Sequence, residues 1–377
     1  MFFRHYAIKK IYDLLLTTLL TLRIFGVRKT LKRILHRLQR LRHPLLYPMI
    51  TANGELTEIS DFYKTNADKL STDYIEFVCP FWRGDVLIAL QVAFTAAAHG
   101  RKIRIHVSKG IFPWVQDFPY ADYIKAEPVE IGVPYITEKT AGLYEAIKKV
   151  SSREDFSGLL VCPLPMKSLP DMEIDLVQFM LMTLGLPADT LLVAIRPYEP
   201  DDTDLTEYLG QFPAHDVVLL HPYGGWETKS MTEEVVRTIY DVAHSKDLKI
   251  VQIGGPADKR FEFLDGYLMK NLSLKNWHGI FKKSKALIGV DSWTAHFASI
   301  AGLNHAVVYG CTESKYIESS RHYKNQNGSF IAFEPNCNNY PCFSTICKYN
   351  KNNCAKMSID TNVLSVWLDS LTTNQDD

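Results

Sequence analysis

Residues Ala286–Cys311, ALIGVDSWTAHFASIAGLNHAVVYGC, restrict the fold more than any other stretch of this chain. The apolar run Ala286–Val290 ends in Asp291 and Ser292, a short helix follows with His296 on its first turn, and a second apolar run covers His305–Tyr309. Strand, polar turn, helix start and strand make half of a site for an anionic ligand. The unpaired amides and dipole of the helix start attract phosphate, while a carboxylate and an imidazole can fix a sugar or ribose.

The same alternation runs through the rest of the text. It predicts strands at Tyr74–Cys79, Lys102–Val107 and Gly158–Cys162, with helices over Val86–His99 and Ile174–Leu184. The stretch 51–72 is polar and reads as irregular. Pro197–Asp204, PYEPDDTD, is a proline- and acid-rich break. Beyond it a second cycle predicts strands at Asp216–Leu220 and Lys249–Ile253, with a helix over Thr232–His244. At 377 residues there is room for two cores. The expectation is an α/β chain of two tandem Rossmann-like domains, with parallel sheets and ligands at the carboxyl ends of the strands.

Lys+Arg and Asp+Glu are each 42, but residues 1–42 hold eleven of the basic groups and one acid, Asp13. The body is correspondingly acidic, which with the absence of a recognition module argues against a nucleic-acid partner. Within the arm the longest uncharged run is Leu14–Leu22, short of the roughly 20 residues that span a bilayer. From Leu31, the residues Leu31, Ile34, Leu35, Leu38, Leu41 and Leu45 share one helical face, opposite Lys32, Arg33, His36, Arg37 and Arg40. Residues 1–50 therefore read as a basic amphipathic helical arm for the inner face of an anionic membrane, with packing on the body as the alternative.

Three further pieces carry chemistry. In FWRGDVLIAL, Gly84 permits a tight turn and Asp85 stands at a helix start, either completing the helix end or taking a proton from a hydroxyl. In HPYGGWETKS, Gly224 and Gly225 allow close backbone approach, with Thr228 and Lys229 just before a helix, an arrangement suited to phosphate. In IGGPAD, Asp258 sits on a glycine turn where a ribose contact or an ordinary cap both fit.

The order of these pieces resembles glycosyltransferase family 9, the bacterial ADP-heptose:lipopolysaccharide heptosyltransferases. The matching text is RGDVLIAL, LLHPYGGWETKSMTEE, IGGPAD, ALIGVDSWTAHFASIAG and PCFSTICKYNKNNC, spread over about residues 74–370. The resemblance implies a glycosyltransferase B-type fold. Residues 51–198 would form the acceptor-side domain and 199–377 the nucleotide-sugar domain, with a cysteine-rich loop at 337–354. It implies Asp85 as general base and Lys229 on the donor diphosphate. Asp258 would contact the donor nucleoside, and Asp291 and His296 would bracket sugar and pyrophosphate. Gly224, Gly225, Thr228, Ser292 and Thr294 would complete the donor site. The implied reaction is an inverting transfer, without metal or cofactor, of heptose from ADP-heptose to a lipid-linked or cell-surface glycan such as lipopolysaccharide core. It would take place in the cytoplasm, at the membrane's inner face. The departure is Trp293, where the family usually has glycine; an indole there either crowds the phosphate or stacks on sugar or base.

Cys79, Cys162 and Cys311 at strand ends read as buried apolar residues. Cys337, Cys342, Cys347 and Cys354 cluster without zinc-ribbon spacing, giving either a structural Zn or Fe site or a conformational staple. The competing functions are a transferase using another nucleotide sugar or a protein (autotransporter) acceptor, and a non-catalytic membrane-associated scaffold with Trp293 filling the donor site.

Overall fold

The apolar runs read from the sequence become the inner strands of two six-stranded sheets. The computed structural model describes residues 48–52, 56–70, 73–79, 82–120, 122–130, 139–162, 173–195, 216–323, 328–337, 340–343, 347, 354 and 357–371. They fall into two units. One contains the chain up to Gln116 and Tyr120–Thr190, the other Asp117–Pro119 and the chain from Leu191. The break expected at 197–204 and most of the expected arm, 1–47, lie outside the described residues.

The first unit runs β1 (Pro48–Thr51), β2 (Leu56–Glu58), β3 (Tyr74–Val78), α1 (Arg83–Ala98), β4 (Lys102–Ser108), β5 (Ile124–Val129), α2 (Lys139–Ser151), β6 (Leu159–Cys162) and α3 (Leu176–Thr183). The strand order is β2-β1-β6-β3-β4-β5. Strands β6, β3, β4 and β5 are parallel, whereas β1 pairs antiparallel with both β2 and β6. Two expectations are thereby corrected. Residues 48–50 belong to a sheet strand rather than to the arm, and 51–72 is not irregular, since it contains β2 and the helix Ile59–Thr65. Strands of three and four residues carry too little periodicity to be read from sequence. Helix α1 is buried on nearly all sides, so Gln91 and Thr95 turn their polar groups onto the helix backbone, donating to the carbonyls of Leu87 and Gln91.

The second unit runs β7 (Val217–His221), α4 (Glu233–His244), β8 (Lys249–Gly254), β9 (Gly266–Met269), α5 (Leu274–Lys283), β10 (Ala286–Val290), α6 (Trp293–Ala301), β11 (His305–Val308), β12 (Phe330–Phe333) and α7 (Thr361–Ser370). Its order is β12-β11-β10-β7-β8-β9, with every pairing parallel. Strands β7, β10 and β11 are buried along their whole length, as expected when both sheet faces are covered. Val235, Val236 and Ile239 of α4 and Leu364, Trp367 and Leu368 of α7 pack with Val218, Leu220, Ile250 and Ile288 in one core. Each such side chain contributes about 1.5–3 kcal/mol on burial. The chain leaves β7 toward β8 and β9 on one side and returns to β10, β11 and β12 on the other. The β7/β10 seam is therefore the place where the connection reverses, and in sheets of this kind ligands bind beside that seam.

Candidate anion site at the seam of the second sheet

The loops after β7 and β10 meet at this seam. After β7 the chain passes Gly224 and Gly225 and turns through the short 3-10 segment Glu227–Lys229, which buries Lys229. Gly224 is required by the protein itself: a Cβ there would lie 2.6 Å from the Lys229 Cβ. Gly225 is exposed, and a Cβ there meets nothing within 4 Å. The Lys229 ammonium lies 4.7 Å from the centre of the Trp226 ring and donates to Asp291 Oδ2 at 2.5 Å. Asp291, the first residue after β10, also accepts from Thr312 Oγ1 at 2.6 Å, and its Oδ1 is 3.8 Å from His296 Nε2. Burial by itself would raise the Asp291 carboxyl. The charges of Lys229 and His296, with the hydrogen bonds from Lys229 and Thr312, outweigh it and hold the group below its ordinary value. The result is a buried cluster of one carboxylate and one ammonium, with an imidazole beside it.

Ser292 and Thr294 form a second, neutral layer. Ser292 Oγ lies 3.0 Å from His221 Nδ1 and 2.8 Å from Thr294 Oγ1. Burial drives His221 down to about 4, so its ring is neutral near pH 7. Trp293 is half-buried. Its ring meets Trp277 edge-on at 5.4 Å, His221 at 6.0 Å and Phe297 at 6.4 Å, so the indole is packed among aromatic groups of its own domain. Asp258 turns inward as well. Its Oδ2 accepts from the Gly255 amide at 2.7 Å, and a Cβ on Gly254 would lie 2.5 Å from that oxygen. Asp258 thus closes the turn after β8 through its Oδ2, with no helix there among the described residues for it to cap.

Asp85 belongs to the first unit. It is the third residue of α1, and its Oδ2 accepts from the Trp82 amide at 3.2 Å, which ties down the helix start. Its Oδ2 is engaged in the way the structural reading of Gly84-Asp85 predicts.

Several buried polar residues near the site carried little or no signal in the sequence. Thr312 follows the end of β11 and reaches Asp291 across 21 residues of chain. Behind α6 lies a second buried network: Glu318 Oε1 accepts from Ser299 Oγ at 3.0 Å and from the Ser320 amide at 2.9 Å, and lies 3.6 Å from His305 Nε2. Burial would raise Glu318, but the hydrogen bond and charge of His305, the charge of His296 and the Ser320 amide bring it down to about 2. Only the polarity of Thr312 at a strand end hinted at a role.

Of the cysteines, Cys79, Cys162 and Cys311 are buried as expected. Among the described residues, no group of three or more His, Cys, Asp or Glu side chains is placed to hold a metal ion. Two of the clustered cysteines engage the loop after β11, Cys342 through its amide and Cys354 through its thiol.

Two largely parallel sheets with helices between their strands, in tandem units, define an α/β chain of the two-Rossmann type. That fold is shared with solved glycosyltransferases. A family 9 glycosyl transferase from Veillonella parvula DSM 2008 superposes with a TM-score of 0.57 at 13% identity, over 81% of this chain and 99% of that one. The ADP-heptose lipopolysaccharide heptosyltransferase II of E. coli gives 0.56 at 13% identity, over 81% and 100%. The dodecameric iron-containing heptosyltransferase TibC, in complex with ADP-D-beta-D-heptose, gives 0.54 at 13% identity, over 81% and 79%. No family model and no curated protein matches the sequence.

Proposed function

We propose that this protein is a glycosyltransferase that takes its donor as a nucleoside diphosphate sugar at the β7/β10 seam. The observation that carries this reading is the buried Lys229–Asp291–Thr312 cluster at the place where strand order reverses, beside the start of α6. An ammonium held in place by one carboxylate can turn to a diphosphate whose charge it then shares with helix amides. The likeness to heptosyltransferases, one of them solved with ADP-D-beta-D-heptose, supports ADP-heptose as donor. A glycan acceptor of the lipopolysaccharide-core kind goes with it.

In the proposed reaction Asp85 removes the proton from an acceptor hydroxyl and the oxygen attacks the anomeric carbon with inversion. Lys229 and the start of α6 stabilise the departing diphosphate. His296, close to Asp291, would set that carboxylate's charge against the sugar. No metal or cofactor takes part in this scheme. The basic arm supports attachment to the inner face of a membrane; no helix among the described residues is long and apolar enough to cross one.

Calorimetric titration of the purified chain with ADP, UDP, GDP and CMP, without divalent metal, tests the donor. Selective ADP binding that Lys229→Ala weakens at least tenfold supports the reading. Selectivity for another nucleotide moves the proposal to a different sugar donor, and no binding of any favours the scaffold.

A further inference from the structure

The loop that presents Thr312 to Asp291 is held by the cysteine-rich segment. The amides of Cys342 and Phe343 both donate to the Cys311 carbonyl, at 3.1 and 2.9 Å. Tyr340 Oη donates to the Thr312 carbonyl at 2.7 Å, and Cys354 Sγ to the Gly310 carbonyl at 3.5 Å. Three successive carbonyls, those of residues 310–312, are thus taken by one segment. Phe343 adopts a φ of 44°, a left-handed conformation that a bulky residue keeps only when its surroundings impose it.

Cys311 lies within electrostatic reach of Lys229 and Asp291, and of Cys342. It is buried, and its thiol hydrogen-bonds Thr228, the residue before Lys229. Cys342 is exposed, and close enough for its charge to be felt at Cys311. A carbonyl-to-amide bond between the two residues themselves confines their Cα atoms to within about 7 Å of one another. A disulfide needs roughly 4.4–6.8 Å. An exposed cysteine and a buried one therefore have Cα atoms close enough for a bridge, and the buried one touches the loop that carries Lys229.

We propose that Cys311 and Cys342 form a reversible disulfide that switches off the anion site at the β7/β10 seam. The oxidant is a low-molecular-weight disulfide such as oxidised glutathione. The exposed Cys342 thiolate attacks one of its sulfurs, giving a mixed disulfide and releasing one glutathione thiol. Cys311 then attacks the Cys342 sulfur, the protein S–S bond forms, and a second glutathione thiol leaves. Two protein thiols are oxidised, one glutathione disulfide is reduced, and the two protons end on the two glutathione thiols. Bridging removes the Cys311 hydrogen bond to Thr228 and pulls residues 310–312 away from Lys229 and Asp291. Burial pushes the Cys311 thiol up to about 12, so the second step is the slow one and quickens as pH rises.

The consequence for binding rests on the proposed donor reading, whereas the bond itself does not. The full chain is treated with oxidised glutathione, digested without reductant and mapped by mass spectrometry, and ADP affinity is measured before and after. A linked Cys311–Cys342 peptide, an ADP affinity at least tenfold lower, and recovery of both with dithiothreitol support the proposal. Cys342→Ser, which keeps every backbone bond, then binds ADP as the reduced protein does and no longer responds to the oxidant. Absence of the linked peptide, an arrest at the mixed disulfide, pairing of Cys342 with Cys337 or Cys347, or a linked protein with unchanged ADP affinity overturns it. If the reduced protein binds no nucleotide, the donor reading fails by itself. The switch is then judged by the linked peptide together with amide exchange of residues 226–231: faster exchange on bridging supports it, and unchanged exchange overturns it.

Discussion

Gly310 lies so close to Thr228 that a Cβ on the glycine would sit 1.9 Å from the threonine carbonyl oxygen. The loops after β11 and β7 thereby touch backbone to backbone, one residue before Lys229. Gly310→Ala must force them apart, at a cost of about 1–3 kcal/mol for overpacking. The expected outcome is a lower urea midpoint and at least tenfold weaker ADP binding. A Gly310→Ala protein with normal affinity would show that loop spacing does not govern the site.

Lys229 and Asp291 are both buried, so each is costly without the other. Removing either partner should lower stability by about 3–5 kcal/mol. Replacing both, as Lys229→Met with Asp291→Leu, should cost less than the sum of the single changes. A double-mutant cycle in denaturant checks this, and additive losses would mean that the pair is not coupled in the folded state.

Buried His221 makes stability depend on pH. Its folded value, about 4, lies below the ordinary 6.5, so the unfolded chain takes up a proton that the folded one refuses. The neutral ring's contribution is complete above about pH 6.5 and is lost as pH falls from 6.5 toward 4. His221→Asn, which leaves a polar group toward Ser292, should flatten this part of the stability curve. Urea midpoints taken across pH 4–7 provide the comparison.

Trp293 meets Trp277, Phe297 and His221 with its ring. Trp293→Gly is expected to destabilise the second unit by about 2–4 kcal/mol, somewhat less than a fully buried tryptophan would. ADP affinity should stay within threefold. A gain or loss of affinity beyond tenfold would place the indole in the ligand's path instead.

The inner strands were legible because they are apolar along their length and end in polar turns; β7, β8, β10 and β11 lie within a residue or so of their expected ends. The outer strands β2, β5, β9 and β12, and the short β1 beside β2, were not expected. Shortness or partial exposure leaves such strands little hydrophobic pattern, and pairing with a neighbour decides them. Of the expected site residues, the sequence located Lys229, Asp291 and His296 at strand ends and helix starts, because those positions follow from local pattern.

What local pattern determined by itself was thus the α/β alternation and the polar residues at the carboxyl ends of the strands. Tertiary structure alone decided which of them share an atom's reach. It paired Lys229 with Asp291 across 62 positions and recruited Thr312. It also set Cys342 against Cys311. Contacts between distant segments depend on the order in which strands pack, and no short-range periodicity records that order.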